Sequence, residues 1–201
     1  MKPIILASKS LDRQELFKHV RIPIEIFEMD VDEEELKKKI KDPIELVNEL
    51  SRAKALFARN SLRNSKKDAI IIAADTIVEL NGEIIGKAMD EQDAFKILKK
   101  LIGNSHNLLT GICITSIFNS NIITDYENTI VRFLKLSDNE IKAYIKVGDW
   151  QGRAGAYAIT ERASLFIEYI QGSFSNVIGL PMHKIFLLLK KHFNINLLEI
   201  I

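Results

Sequence analysis

Apolar residues recur along this chain in two rhythms, one of unbroken short runs and one of helical spacing. Residues 4–8 (IILAS) form a short apolar run and predict a buried strand. Leu11, Leu16, Phe17 and Val20 then fall at roughly helical spacing, and residues 22–27 alternate apolar and polar as a second strand does. MDVDEEELKKKIK is a charge-dense connector that reads as a solvated helix end. Asp42 followed by Pro43 opens a helix expected to run to about Asn60. DAIIIAADTIVEL is the strongest strand signal, and its continuous apolar centre predicts cover on both faces. Asn81-Gly82 makes a turn, since both residues tolerate positive φ.

Asp90 caps a further helix expected to reach Ile102 and to stop at Gly103. Residues 107–118 and 122–136 predict two long strands joined by the polar turn Asn119-Ser120-Asn121. Ser137 and Glu140 fit a capping box for a helix ending near Val147. Residues 156–159 and 164–170 predict further strands, and Pro181 opens a last helix to about Phe193. There is no internal repeat, low-complexity segment or clear linker. Interleaved strands and helices predict an α/β sheet, and the long antiparallel-looking pairs favour a mixed, curved sheet over a doubly wound one.

Composition narrows the class. With 201 residues, 47% of them hydrophobic, the chain can bury a core as one domain, residues 1–201, or one domain with two lobes. The balance of 28 basic and 27 acidic side chains leaves a net charge of +1, so no broad field draws nucleic acid or a membrane surface. A lone cysteine, Cys113, excludes an intramolecular disulfide and fits a reducing compartment. The opening MKPIILASKS is a poor signal peptide, and no run approaches the roughly 18 apolar residues of a membrane span. The expectation is a soluble, cytoplasmic protein.

Several positions carry possible chemistry. Ser8-Lys9-Ser10 lies where a strand feeds a helix, so its hydroxyls either cap that helix or join the free backbone N–H groups in an anion site. Arg13, one turn inside, can offer a planar fork to phosphate. Asp75 sits in a strongly apolar strand, where a bare carboxylate is costly unless a cation or donors meet it. It is either a satisfied structural residue or a metal ligand or general base. Glu33 lies among successive glutamates, and nothing local singles it out. Lys54 stands among apolar helical positions, as a snorkelling lysine does. Lys87 follows Gly86, but the spacing is too short for a Walker A loop and no Ser or Thr follows. AGAY at 154–157 and GSFSNVIGLP at 172–181 hold small residues that either admit a ligand or simply turn the chain. His19, His106, His183 and His192 lack zinc spacing, and no Ser-His-Asp order or nucleophile elbow stands out.

In order along the chain, LASKSLDR, VDEE, AKA, AADTIV, GKA, AGAYAI and GSFSNVIGLP resemble the motifs of the Maf family, septum-formation-inhibitor-like proteins that hydrolyse nucleoside triphosphates to monophosphate and pyrophosphate. The resemblance spans nearly the whole chain. It implies a mixed α/β fold with a long curved sheet and two lobes around a cleft, similar to inosine triphosphatases, and a homodimer. It implies Asp75 as proton acceptor and metal contact, and Glu33 as its acidic partner for metal or water. Lys54 and Lys87 join Ser8, Ser10, Arg13 and Thr76 in holding the substrate. Paired carboxylates suit Mg2+ or Mn2+, and the cations would neutralise a triphosphate bearing about four negative charges.

The chain also departs from the family pattern. Leu11 stands where the family has Pro, Asp12 where it has its first Arg, and Ala88 where it has Pro. Thr160-Glu161 replaces the Gln-Gly of many relatives, a Gln linked to base choice. Thr76 favours the dTTP/UTP branch, because the 7-methyl-GTP branch carries Gln there. Asp12, Thr76 and Thr160 are thus the expected specificity positions, and dTTP, UTP or modified pyrimidine nucleotides the expected substrates. The alternative is a catalytically weak nucleotide-binding regulator of cell division, the reading that Asp12 favours. Nucleic-acid binding is disfavoured by the near-neutral charge and the lack of a basic, aromatic-rich strand.

Overall fold

The computed structural model describes residues 2–64, 67–119 and 121–200, so Ser120 of the expected turn lies outside the described residues. A seven-stranded sheet organises the chain, and its main path runs β2 (Glu25–Ile26), β1 (Ile4–Ala7), β3 (Ile70–Leu80), β5 (Ser105–Ser116), β6 (Ile122–Phe133), β7 (Ile167–Gln171). The chain divides into two compact units. The first comprises Met1–Asp75, Thr110–Glu127 and Gly179–Ile201, and the second Thr76–Leu109 and Asn128–Ile178.

In the first unit β1 (Ile4–Ala7) pairs in parallel with β2 (Glu25–Ile26) and with β3 (Ile70–Leu80). The register sets Ile4 beside Ile70 and Ala7 beside Ala73. Side chains alternate across a strand, so these apolar runs serve two faces at once. Ile4, Leu6, Ile70, Ile72 and Ala74 gather with Ile112 and Ile114 of β5 (Ser105–Ser116). That face packs on Phe17 of α1 (Leu11–His19) and on Ile185 and Leu189 of α7 (Met182–Phe193). Ile5, Ala7, Ile71, Ala73 and Cys113 face the other way, against Ala55 and Ala58 of α3 (Pro43–Ser61). The expected cover on both faces is therefore present. Asp42 caps α3, its Oδ1 accepting the Glu45 N–H at 2.8 Å, and Pro43 holds the first helical position. A short helix, α2 (Glu34–Lys39), occupies the charge-dense connector.

The second unit begins within β3. Asn81 and Gly82, at φ 52° and 85°, turn the chain into β4 (Glu83–Ile85), which pairs antiparallel with β3. Asp90 caps α4 (Glu91–Leu101), and the Ser137–Glu140 box is complete at the start of α5 (Asp138–Ile145). β6 (Ile122–Phe133) pairs antiparallel with β7 (Ile167–Gln171). Parallel and antiparallel pairs together make the sheet mixed, as expected. The core of this unit runs through edge-on aromatic contacts, His106 and Tyr157 on Phe133, and Phe133 and Tyr144 on Phe166. Among the described residues no helix is long and apolar enough to cross a membrane.

Four sequence expectations are corrected. The strand over 22–27 shrinks to two residues, since Pro23 has no N–H to give a ladder. Residues 156–159 form no strand, because Gly155 and Ala156 both take left-handed φ and turn the chain. The strand over 164–170 begins at Ile167, after a 3₁₀ turn over Arg162–Leu165. A helix the pattern did not predict, α6 (Phe174–Ile178), forms inside GSFSNVIGLP.

Candidate active site

β1 ends at Ala7, and the following serines are occupied locally. Ser8 Oγ accepts the Ser10 N–H at 3.1 Å, and Ser10 Oγ accepts the Arg13 N–H as the cap of α1. Asp12 stands in the first turn of α1, where a carboxylate complements the helix dipole, and Leu11 is exposed. The Arg13 guanidinium reaches back across the first unit. Its Nε donates to the Gly179 carbonyl at 2.7 Å, and its Nη1 to the Ala74 carbonyl at 2.8 Å and to Ser8 Oγ at 3.5 Å. Burial draws its pKa down, against the raising pull of the Asp75 and Glu33 carboxylates. One side chain thus ties LASKSLDR to the residue before Asp75 and to the end of GSFSNVIG.

Strand alternation decides where Asp75 points. Ile71 and Ala73 face α3, and Asp75 is two residues further along the same strand. Lys54 projects from α3 and donates to Asp75 Oδ1. The same ammonium lies 2.8 Å from Glu33 Oε1. Glu33 occupies the cap position of α2 without capping it, and its second oxygen takes Lys37 Nζ at 2.7 Å. The Lys54, Asp75 and Glu33 side chains are 17%, 12% and 24% exposed, so solvent screens these pairs little. Burial pushes the Glu33 carboxyl up, but the charges and hydrogen bonds of Lys54 and Lys37 outweigh it and hold the pKa at about 2. Burial pulls Lys37 down, and its bond to Glu33 together with the Glu33 and Asp75 charges more than restores it, leaving its pKa raised.

The structure therefore gathers Ser8, Arg13, Glu33, Lys54 and Asp75 in the first unit. Lys54 does not snorkel; it holds two carboxylates that come from separate elements. Sequence reasoning did not single out Lys37, although its spacing of four from Glu33 on a helix is the usual signal of an ion pair. Thr76 follows Asp75 on β3 as the first residue of the second unit. Lys87 is exposed there and bridges antiparallel to Ala154, while the Gly155 N–H donates to Gly86 O at 3.0 Å. GKA and AGAY are thereby one local construction. Lys87 also lines an open groove of about 390 Å³ with Lys96 and Lys100, where Lys100 pairs with Glu83 at 2.6 Å. Thr160 is exposed in a turn of the same unit.

Motifs and geometry together define a class, and the chain belongs to the family of Maf-like proteins, whose model matches residues 3–192. It is 42% identical over 192 residues to a dTTP/UTP pyrophosphatase of Caldanaerobacter subterraneus subsp. tengcongensis, covering 96% of this chain and 90% of that one. Enzymes of the same name from Alkaliphilus oremlandii (41% identity, 98% and 100% coverage) and Ruminiclostridium cellulolyticum (37%, 95% and 96%) are also similar. Among solved structures, the Staphylococcus aureus Ham1 protein aligns at 19% identity with a TM-score of 0.45, over 66% of this chain and 72% of that one.

Proposed function

We propose that this chain is a nucleoside triphosphate pyrophosphatase acting on dTTP and UTP, releasing the monophosphate and pyrophosphate. The observation that carries the reading is the Lys54 ammonium shared by Asp75 and Glu33, in a chain 37–42% identical to enzymes of that name. In this mechanism a water oxygen bonds to the α-phosphorus, the bond from that phosphorus to the β-bridging oxygen breaks, and pyrophosphate leaves. Asp75 accepts the water's proton, and its bond to the Lys54 ammonium aims that carboxylate. Arg13 fixes the backbone at Ala74 and so sets where Asp75 starts. Lys54 and Lys37 offset charge on the phosphate chain.

Among the described residues no group of three or more metal-ligating side chains is found. Two carboxylates are nevertheless what Mg2+ commonly takes from a protein, its other ligands being water and substrate phosphate, so the donor set fits. Glu33 and Asp75 would hold that ion or Mn2+, which supplies neutralising charge on the triphosphate when bound. The reading carries with it a cytoplasmic homodimer.

A panel of canonical and modified nucleoside triphosphates, incubated with Mg2+ and scored for pyrophosphate and monophosphate, tests the proposal. dTTP and UTP should lead. Release from none of them would overturn it, and nucleotide binding without turnover would indicate the division regulator instead.

A further inference from the structure

The candidate site is already neutralised from within. Glu33 and Asp75 contribute two carboxylates. Lys54 bonds one oxygen of each, Lys37 bonds the other oxygen of Glu33, and the charge of Arg13 also acts on both carboxylates. Glu34 also acts on Lys37, so three cations meet three anions. A bare divalent cation approaching Glu33 and Asp75 must dislodge an ammonium held by two charge-assisted bonds. A triphosphate eases that step, because its negative charge offers the ammonium another anion.

We propose that Lys54 holds the metal's place in the nucleotide-free protein, so that the divalent ion is taken up together with the nucleotide and not before it. The inference rests on the pyrophosphatase reading and deepens it. Metal and nucleotide then strengthen each other's binding by the same factor, as linkage requires. Lys37 contributes charge but touches Glu33 alone, so it does not stand between the carboxylates.

The test is Mn2+ binding to the full chain, followed by the electron paramagnetic resonance of the free ion. It is run with and without the α,β-methylene analogue of dTTP, whose scissile position does not hydrolyse, and is corrected for Mn2+ held by the analogue itself. In the wild type the analogue should tighten Mn2+ about tenfold or more. Lys54→Met and Lys54→Gln, with folding checked by circular dichroism, should bind Mn2+ alone about tenfold tighter than wild type and gain little from the analogue. Lys37→Met should fall well short of that gain. An unchanged wild-type affinity on adding the analogue overturns the proposal, and this arm needs no variant to fold. Lys54 variants no tighter than wild type also overturn it, as does a Lys37→Met effect equal to theirs. The titration reads no turnover. The expected Mn2+ pattern without pyrophosphate release would sink the hydrolase reading alone, and turnover without that pattern would sink this inference alone.

Discussion

Asp75 follows five fully buried apolar residues of β3, a position where a carboxylate survives because an ammonium meets it. Asp75→Asn preserves the shape and the contact with Lys54 but cannot take a proton. Turnover of dTTP should fall by about 10²- to 10⁴-fold while far-ultraviolet circular dichroism stays as in the wild type. Steady-state kinetics decide it, and wild-type kcat in the variant would remove Asp75 from the proposed role. At this scale the sequence carried much of the site. A carboxylate in AADTIV and a cation in AKA are conspicuous against apolar neighbours. Their meeting was not legible, because it depends on β3 turning its odd-numbered face to α3. Glu33 was one glutamate among several until Lys54 and Lys37 took its two oxygens.

Elements whose boundaries rest on local chemistry were readable. Asp42, Asp90 and Ser137 each cap the helix expected of them, and Asn81-Gly82 makes the expected turn. Elements set by tertiary bonds were not. α6 is too short for periodicity, and buried Asn176 pins it by donating to the Leu108 carbonyl at 3.1 Å and to Thr129 Oγ1 at 3.0 Å. α3 shows how an element delivers a residue to the site. At Gly111 the backbone of β5 lies so close to α3 that an added Cβ would stand 2.1 Å from the Val47 carbonyl oxygen. Gly111→Ala must push the helix off the sheet. Lys54 is seven residues past Val47, about two turns along the same helix. The expected outcome is a loss of about 1–3 kcal/mol in urea unfolding, together with a marked fall in kcat. Ser137→Ala serves as the control, since removing that cap costs about 1 kcal/mol at a helix of the second unit and should leave turnover intact. Equal kinetic effects in the two variants would mean that lost stability, not the placement of Lys54, explains the first.

For the whole molecule, the two units should weaken with acid in separate windows. In the first unit Glu33 is held at about 2 against an ordinary 4.5, so its contribution is complete above 4.5 and drains away between 4.5 and 2. In the second unit His106 is buried, shares a 2.9 Å hydrogen bond with the Tyr157 hydroxyl, and packs edge-on to Phe133. Its Nδ1 has no partner among the described residues, and burial pushes its pKa down to about 4 from 6.5. Below pH 6.5 the unfolded chain binds a proton that the folded one refuses until about pH 4. Stability is therefore full above 6.5 and falls through that interval, by on the order of 3 kcal/mol. The second unit should thus loosen first. At pH 5, amide exchange corrected for intrinsic rate should be faster in α5 and β7 than at pH 7.5, while α7 of the first unit keeps its protection. His106→Gln retains a partner for Tyr157 but has no charge to acquire, so it should lose most of this pH dependence. Equal acceleration in both units at pH 5, or the same pH response in His106→Gln, would show that the buried imidazole does not set the order in which the units give way.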